Sequence, residues 1–191
     1  MTFFRTLALA LALSATFTAS AEIVTTTTAP ASSDSYWNGN GWNHQTLGSV
    51  TFANGTNNIL ALTSTVTLAD QGWGDQTPDN GVKIALDVNG AAVWASSVAG
   101  ASHDYSTQTF DITSFPDLFS ALNLAMASID WASSPTVIME MFTTPYAWGG
   151  WELHTRDASF SVTSQVPEPD SLLLFGAALA ALAVTRRKLS K

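Results

Sequence analysis

No cysteine occurs anywhere in the 191-residue chain. Disulfides, thiol catalysis and cysteine-ligated zinc are therefore excluded, and stability has to come from a packed core. Basic residues are almost as scarce away from the ends. From Glu22 to Gln165 the chain holds ten Asp and three Glu against only Lys83 and Arg156, a net charge near −11. A surface of that sign repels nucleic acid and anionic lipid, so no nucleic-acid partner is expected. It attracts cations, or simply keeps a domain soluble outside the cell. Catalytic signatures are missing too. His44, His103 and His154 lie far apart without metal-ligand spacing, and neither a Gly-x-Ser-x-Gly elbow nor a phosphate loop occurs.

What the chain does have is two strongly marked ends. Arg5 precedes an apolar run from Leu7 to Phe17, and Ala19-Ser20-Ala21 follows with small residues at the right spacing for cleavage. This predicts a signal helix over 1–21, removed to leave Glu22 as the mature start. At the other end, Pro167-Glu168-Pro169 forms a stiff, extended segment that cannot join a sheet ladder. It leads into an uncharged apolar stretch, Ser171 to Thr185, and then Arg186-Arg187-Lys188. At ~1.5 Å per residue the stretch spans about 22 Å, short of the ~30 Å hydrocarbon core. It is expected to be a C-terminal transmembrane helix of marginal length, with its basic cluster on the cytoplasmic side.

These three parts in this order resemble the PEP-CTERM sorting signal, also catalogued as the ice-binding protein C-terminal domain. That second label describes the tail and not an ice-binding face. The resemblance implies an exosortase-type membrane transpeptidase as processing partner, with Pro167, Glu168, Pro169, Arg186 and Arg187 as the sorting motif. It also implies a place in the cell envelope, membrane-anchored at least transiently, or in the extracellular matrix after processing.

The chain therefore divides into a signal peptide (1–21), an N-terminal linker and aromatic loop (22–45), a folded domain (46–165) and the sorting signal (166–191). Strand signals dominate the folded part. They cover Leu47–Ala53, Ile59–Leu68, Val82–Val88, Ala91–Ser97, Tyr105–Ile112, Thr136–Thr143 and Ala158–Thr163, with Asn89-Gly90 as a strong hairpin turn. One short helix is predicted after Pro116, capped by Thr113 or Ser114, with Phe115, Leu118, Phe119 and Leu122 on one face. The fold class is all-β: an antiparallel, jelly-roll-like sandwich of about eight strands, with an open barrel as the alternative.

Two stretches gather the residues that carry chemistry. Asp70-Gln71-Gly72-Trp73-Gly74-Asp75 follows a long strand, so its glycines let backbone approach a ligand while Trp73 offers a flat apolar face. Asp70, Asp75 and Asp79 can ligate a hard cation through oxygen, although the spacing fits no helix-loop-helix calcium site. No cofactor is expected beyond a possible structural Ca²⁺. The second stretch, Pro145 to Asp157, is read as the loop joining the last two strands. Trp148, Trp151, Glu152, His154 and Arg156 fall within it. Aromatic faces beside carboxylates and planar donors suit a sugar, which has an apolar face and a rim of hydroxyls. In so acidic a chain Arg156 is expected to pair with Asp70, Asp157 or Glu152. A third cluster, Tyr36 to His44, holds Trp37 and Trp42 among Gly and Asn; it either extends a binding surface or covers a sheet edge.

Together the first two loops resemble galactose-binding-domain-like sandwiches, in which an Asp-Gln-Gly-Trp type loop is answered by a late Gly-Trp segment. The resemblance implies a location for the site, at Asp70, Gln71, Trp73, Asp75, Trp148, Trp151, Glu152, His154 and Arg156. It implies carbohydrate or exopolysaccharide as partner, without catalysis. Two alternatives stay open. One is a glycoside hydrolase-like enzyme using a carboxylate pair such as Asp70 with Glu152 or Asp75 with Asp157. The other is a purely structural matrix protein.

Overall fold

The computed structural model describes residues 22–30, 34–37, 40–42, 44–70, 81–100, 103–144, 146–148 and 152–166. The expected signal helix and C-terminal transmembrane helix lie outside them, as do Pro167, Glu168, Pro169, Arg186 and Arg187. Among the described residues no helix is long and apolar enough to cross a membrane. The compact folded unit runs from Ile23 to Val166.

Eleven strands are present among the described residues: β1 (Glu22–Thr27), β2 (Asp34–Trp37), β3 (Asn40–Trp42), β4 (Gln45–Thr51), β5 (Asn58–Asp70), β6 (Gly81–Val88), β7 (Ala91–Gly100), β8 (Ser106–Asp111), β9 (Val137–Thr143), β10 (Tyr146–Trp148) and β11 (Glu152–Val166). Among the described residues a single α-helix, α1 (Pro116–Ala127), lies between β8 and β9. One sheet has the order β1-β11-β5-β8, with β2 also pairing β11; the other has the order β4-β9-β6-β7. Numbering the eight principal strands consecutively turns these orders into 1-8-3-6 and 2-7-4-5. Every connection but the β6–β7 hairpin then crosses from one sheet to the other. That is the two-Greek-key jelly roll, and the open-barrel alternative is set aside because the two sheets do not pair with each other.

Alternation in the sequence builds the sandwich. In β5, Leu62, Ser64, Val66 and Leu68 face inward while Ala61, Thr63, Thr65 and Thr67 face out. In β9, Val137, Met139, Met141 and Thr143 face inward, and Ile138, Glu140 and Phe142 face out. The inner faces meet in one apolar core that includes Leu62, Leu68, Ile84, Leu86, Met139, Met141 and Phe160. Each such side chain contributes roughly 1.5–3 kcal/mol on burial. Leu122 and Met126 of α1 add to it from one flank.

Two tight spots fix the β6–β7 hairpin. Asn89 and Gly90 both take left-handed backbone (φ 53° and 82°), as the two-residue turn requires. At Gly81 a Cβ would lie 2.1 Å from the Ala99 carbonyl oxygen, so only glycine lets the strands approach there.

Three local expectations are corrected. Segment 22–45, read as linker and aromatic loop with a frayed first strand as the alternative from Thr25 to Asp34, supplies β1, β2 and β3; in β1 the β-branched run Ile23 to Thr27 favours extended backbone. Neither Thr113 nor Ser114 caps α1. Its N-cap is Phe115, without a side-chain bond. Thr113 Oγ1 instead accepts from the Leu62 N–H (3.1 Å), and Ser114 Oγ donates to the Asp111 carbonyl (2.7 Å). Finally, the second half of the Pro145–Asp157 stretch is strand. Leu153 and Thr155 point into the core, so β11 begins at Glu152, well before the predicted Ala158.

Candidate functional site

The described parts of the two sequence-predicted stretches touch at one register point. Asp70, the last residue of β5, is the partner of Leu153 in β11. The third cluster joins them: Trp37 of β2 pairs with Glu152, and β3 pairs with β10 through Trp42–Tyr146 and Asn40–Trp148. Gln71, Trp73, Asp75 and Trp151 lie outside the described residues. Asp70, Trp148 and Glu152 are placed by their backbone alone. His154 and Arg156 are described in full, both on the outer face of the five-stranded sheet.

Among the described residues Arg156 takes no carboxylate partner, Asp157 included. Its guanidinium carbon lies 3.5 Å from the centroid of the Tyr105 ring, a cation–π stack. The Tyr105 ring also lies 6.3 Å from that of His154. The physical reason is register. Leu68 pairs with Ser106, and Thr67 faces both Arg156 and Thr107, so the residue preceding β8 arrives beside β11's outward side chains. A β-bulge follows at once. Asp157 has φ 52°, and the β11–β5 register shifts between Arg156 and Ser159. The extra residue keeps Arg156 and Ser159 on the same outer face, which an unbroken strand would not allow.

Below Arg156 the outer face consists of hydroxyl-bearing rungs. Ser159, Thr65 and Thr109 form one rung, and Ser161 and Thr63 lead to Asp111 in the next. Side-chain oxygens meet across the strands at Thr67–Thr107 (2.9 Å), Thr65–Thr109 (3.2 Å), Thr27–Ser161 (3.0 Å) and Thr25–Thr163 (2.8 Å). Such cross-strand pairs contribute about 0.2–1 kcal/mol each. Between Arg156 and Asp111 the rungs carry only Thr and Ser. Neither this face nor Tyr105 is among the site residues expected from the sequence. The signal was there in Thr63-Ser64-Thr65-Val66-Thr67, where every second residue is threonine.

The outer face of the opposite sheet carries charge instead. His44 Nε2 lies 3.0 Å from Glu140 Oε1, and the Thr46 hydroxyl donates to the same oxygen. The His44 ring stacks on Phe142 at 4.3 Å. Ala85 pairs with Glu140 and Asp87 with Ile138, so Asp87 is Glu140's diagonal neighbour. Burial and the Glu140 charge push the Asp87 carboxyl above the ordinary aspartate value, against a smaller lowering by His44. Among the described residues no three His, Asp or Glu side chains gather to hold a metal ion. The Asp75–Asp79 loop lies outside them.

Comparison with known proteins adds the identity of the tail. Residues 165–188 match a family described as the PEP-CTERM protein-sorting motif. The chain carries this sorting motif. The PEP-CTERM motif implies an exported protein, directed to the cell envelope and handled by an exosortase. The resemblance of the folded domain to galactose-binding sandwiches is not confirmed. No curated protein matches the chain. Solved structures similar to it include the VP2 subviral particle of infectious bursal disease virus, at 15% identity and TM-score 0.44, over 76% of this chain and 33% of that one. Another is the T13 particle of the same virus, at 14% identity and TM-score 0.43, over 76% and 32%. The chain spans about a third of the length of either.

Proposed function

We propose that the jelly roll is a non-catalytic module that holds carbohydrate or another matrix polymer outside the cell. Its binding surface is the loop end and outer face of the five-stranded sheet. The observation that carries this reading is the Arg156–Tyr105 stack set directly above the threonine rungs. Threonine offers a hydroxyl and a methyl together, and a sugar offers hydroxyls and C–H faces in return. Tyr105 adds an aromatic surface beside His154. The tail fits the same role: residues 171–185 hold the chain in the membrane until an exosortase acts, and the domain then passes to the surface or the matrix. No cofactor enters the proposal.

Binding of the exported protein to exopolysaccharide, measured by sedimentation, tests it. Retention is expected, with at least a tenfold loss (about 1.4 kcal/mol) in Thr65→Glu/Thr67→Glu. Absence of binding to any polysaccharide, with and without Ca²⁺, contradicts it. Glycan-active catalysis is the second reading, favoured by one observation: Asp87 and Glu140 are neighbouring carboxylates in unequal environments. It requires release of reducing ends that Glu140→Gln abolishes.

A further inference from the structure

We propose that Arg156 recognises a carboxylate, and that the polymer held on this face carries uronic acid groups spaced among uncharged sugars. The inference rests on the carbohydrate reading above and names the ligand's chemistry. Electrostatics makes an unpaired Arg156 unexpected. The domain between Glu22 and Gln165 has thirteen acidic residues and only one other basic one. An exposed arginine there has ample opportunity to pair. Yet among the described residues Arg156 forms no ion pair, not even with Asp157 beside it. Its guanidinium is instead laid on Tyr105 at 3.5 Å. Stacking uses one flat face of the guanidinium and leaves its N–H edge directed away from the ring. That edge is a planar fork that matches a carboxylate's two oxygens.

Two further features hold the fork in place. The His154 ring stands on the other strand position flanking Tyr105, at 6.3 Å. The bulge at Asp157, a non-glycine residue at φ 52°, stores local strain where it fixes Arg156's direction.

The surroundings set the spacing of the ligand's charges. From Thr67 to Thr63 the strand carries about 14 Å of uncharged face, at ~3.4 Å per residue. A net charge near −11 repels a densely charged polyanion. One cation beside neutral rungs fits one carboxylate beside neutral sugars. A sulfate or phosphate ester is a poorer match, because its tetrahedral oxygens do not repeat the planar fork.

The test uses the exported protein and one probe pair: a uronate-bearing exopolysaccharide, and the same polymer after reduction of its carboxyl groups to neutral alcohols. The wild type is expected to bind the unreduced polymer at least about tenfold more tightly, from a charged bidentate hydrogen bond. Arg156→Ala and Arg156→Gln should bind both forms alike, at the reduced polymer's level. Arg156→Lys should keep part of the preference, and Tyr105→Leu should lose most of it. Equal binding of the two forms by wild type, or equal weakening of both in Arg156→Ala, overturns the carboxylate assignment while leaving carbohydrate binding intact. A stronger preference for a sulfated polymer also overturns it. Failure to bind either form overturns both readings.

Discussion

Among the described residues, Asp87 is the one whose charge state the fold opposes most clearly. It sits on the outer face of the four-stranded sheet, diagonal to Glu140, and both burial and that neighbouring charge raise its carboxyl above the ordinary value of 3.8. A raised carboxylate binds more protons folded than unfolded. Its favourable contribution is therefore fully present below 3.8 and is lost as pH rises through the raised value. Asp87→Asn removes the titration. The variant should be more stable than wild type at neutral pH, with the gap closing as pH falls through the raised value towards 3.8 and gone below it. Urea midpoints measured across that range check this; a gap independent of pH contradicts it. Arg156 was legible in the sequence, and its partner was not. Scarcity of basic residues singled it out in the sequence. Its partner, Tyr105, lies about fifty positions away and is delivered by the register of β8 on β5 and β5 on β11. No local pattern encodes that meeting.

At the scale of elements, side-chain amides close the places where strands run out of partners. Asn123 in α1 is the clearest case. Its Oδ1 accepts from the Ile59 N–H at 2.7 Å, and its Nδ2 donates to the Ile59 carbonyl at 3.0 Å, so it stands in for a neighbouring strand. Gln108 does the same for Gly100, accepting from its N–H (3.2 Å) and donating to its carbonyl (2.9 Å). Ile59 is fully buried, so both of its backbone groups would be left unsatisfied without Asn123. Asn123→Ala should cost about 2–4 kcal/mol. A lower urea midpoint at unchanged slope is the expected result; a loss under about 0.5 kcal/mol means the bonds contribute little. Legibility at this scale followed how local the signal was. Asn89-Gly90 announced its hairpin because left-handed backbone at both positions is a two-residue requirement. The start of β11 was hidden, because Gly149-Gly150 and the charged residues after them read as loop. Only Leu153 and Thr155 alternate inward there, too few to mark a strand.

At the scale of the molecule, the jelly roll was legible from the count of alternating strands and their single helix. Its strand order was not legible, since pairing β11 between β1 and β5 depends on contacts more than 80 residues apart in sequence. That order is what turns scattered residues into a surface. It brings the roots of the Asp70 and Glu152 stretches together and lines threonines from β5 and β8 with serines from β11 on one uncharged face, while Asp87 and Glu140 lie on the other sheet. The tail, by contrast, was legible outright, because Pro167-Glu168-Pro169, the apolar stretch and the arginines form a contiguous signal that needs no fold.

The central claim is that the five-stranded sheet, and not the four-stranded one, presents the binding face. Polysaccharide affinity should therefore be measured for the exported protein carrying Thr109→Glu on the first face, and separately Ser49→Glu on the second. The account predicts at least a tenfold loss for Thr109→Glu and an affinity within twofold of wild type for Ser49→Glu, differences of about 1.4 and 0.4 kcal/mol. Equal losses in both variants, or a loss confined to Ser49→Glu, would contradict it.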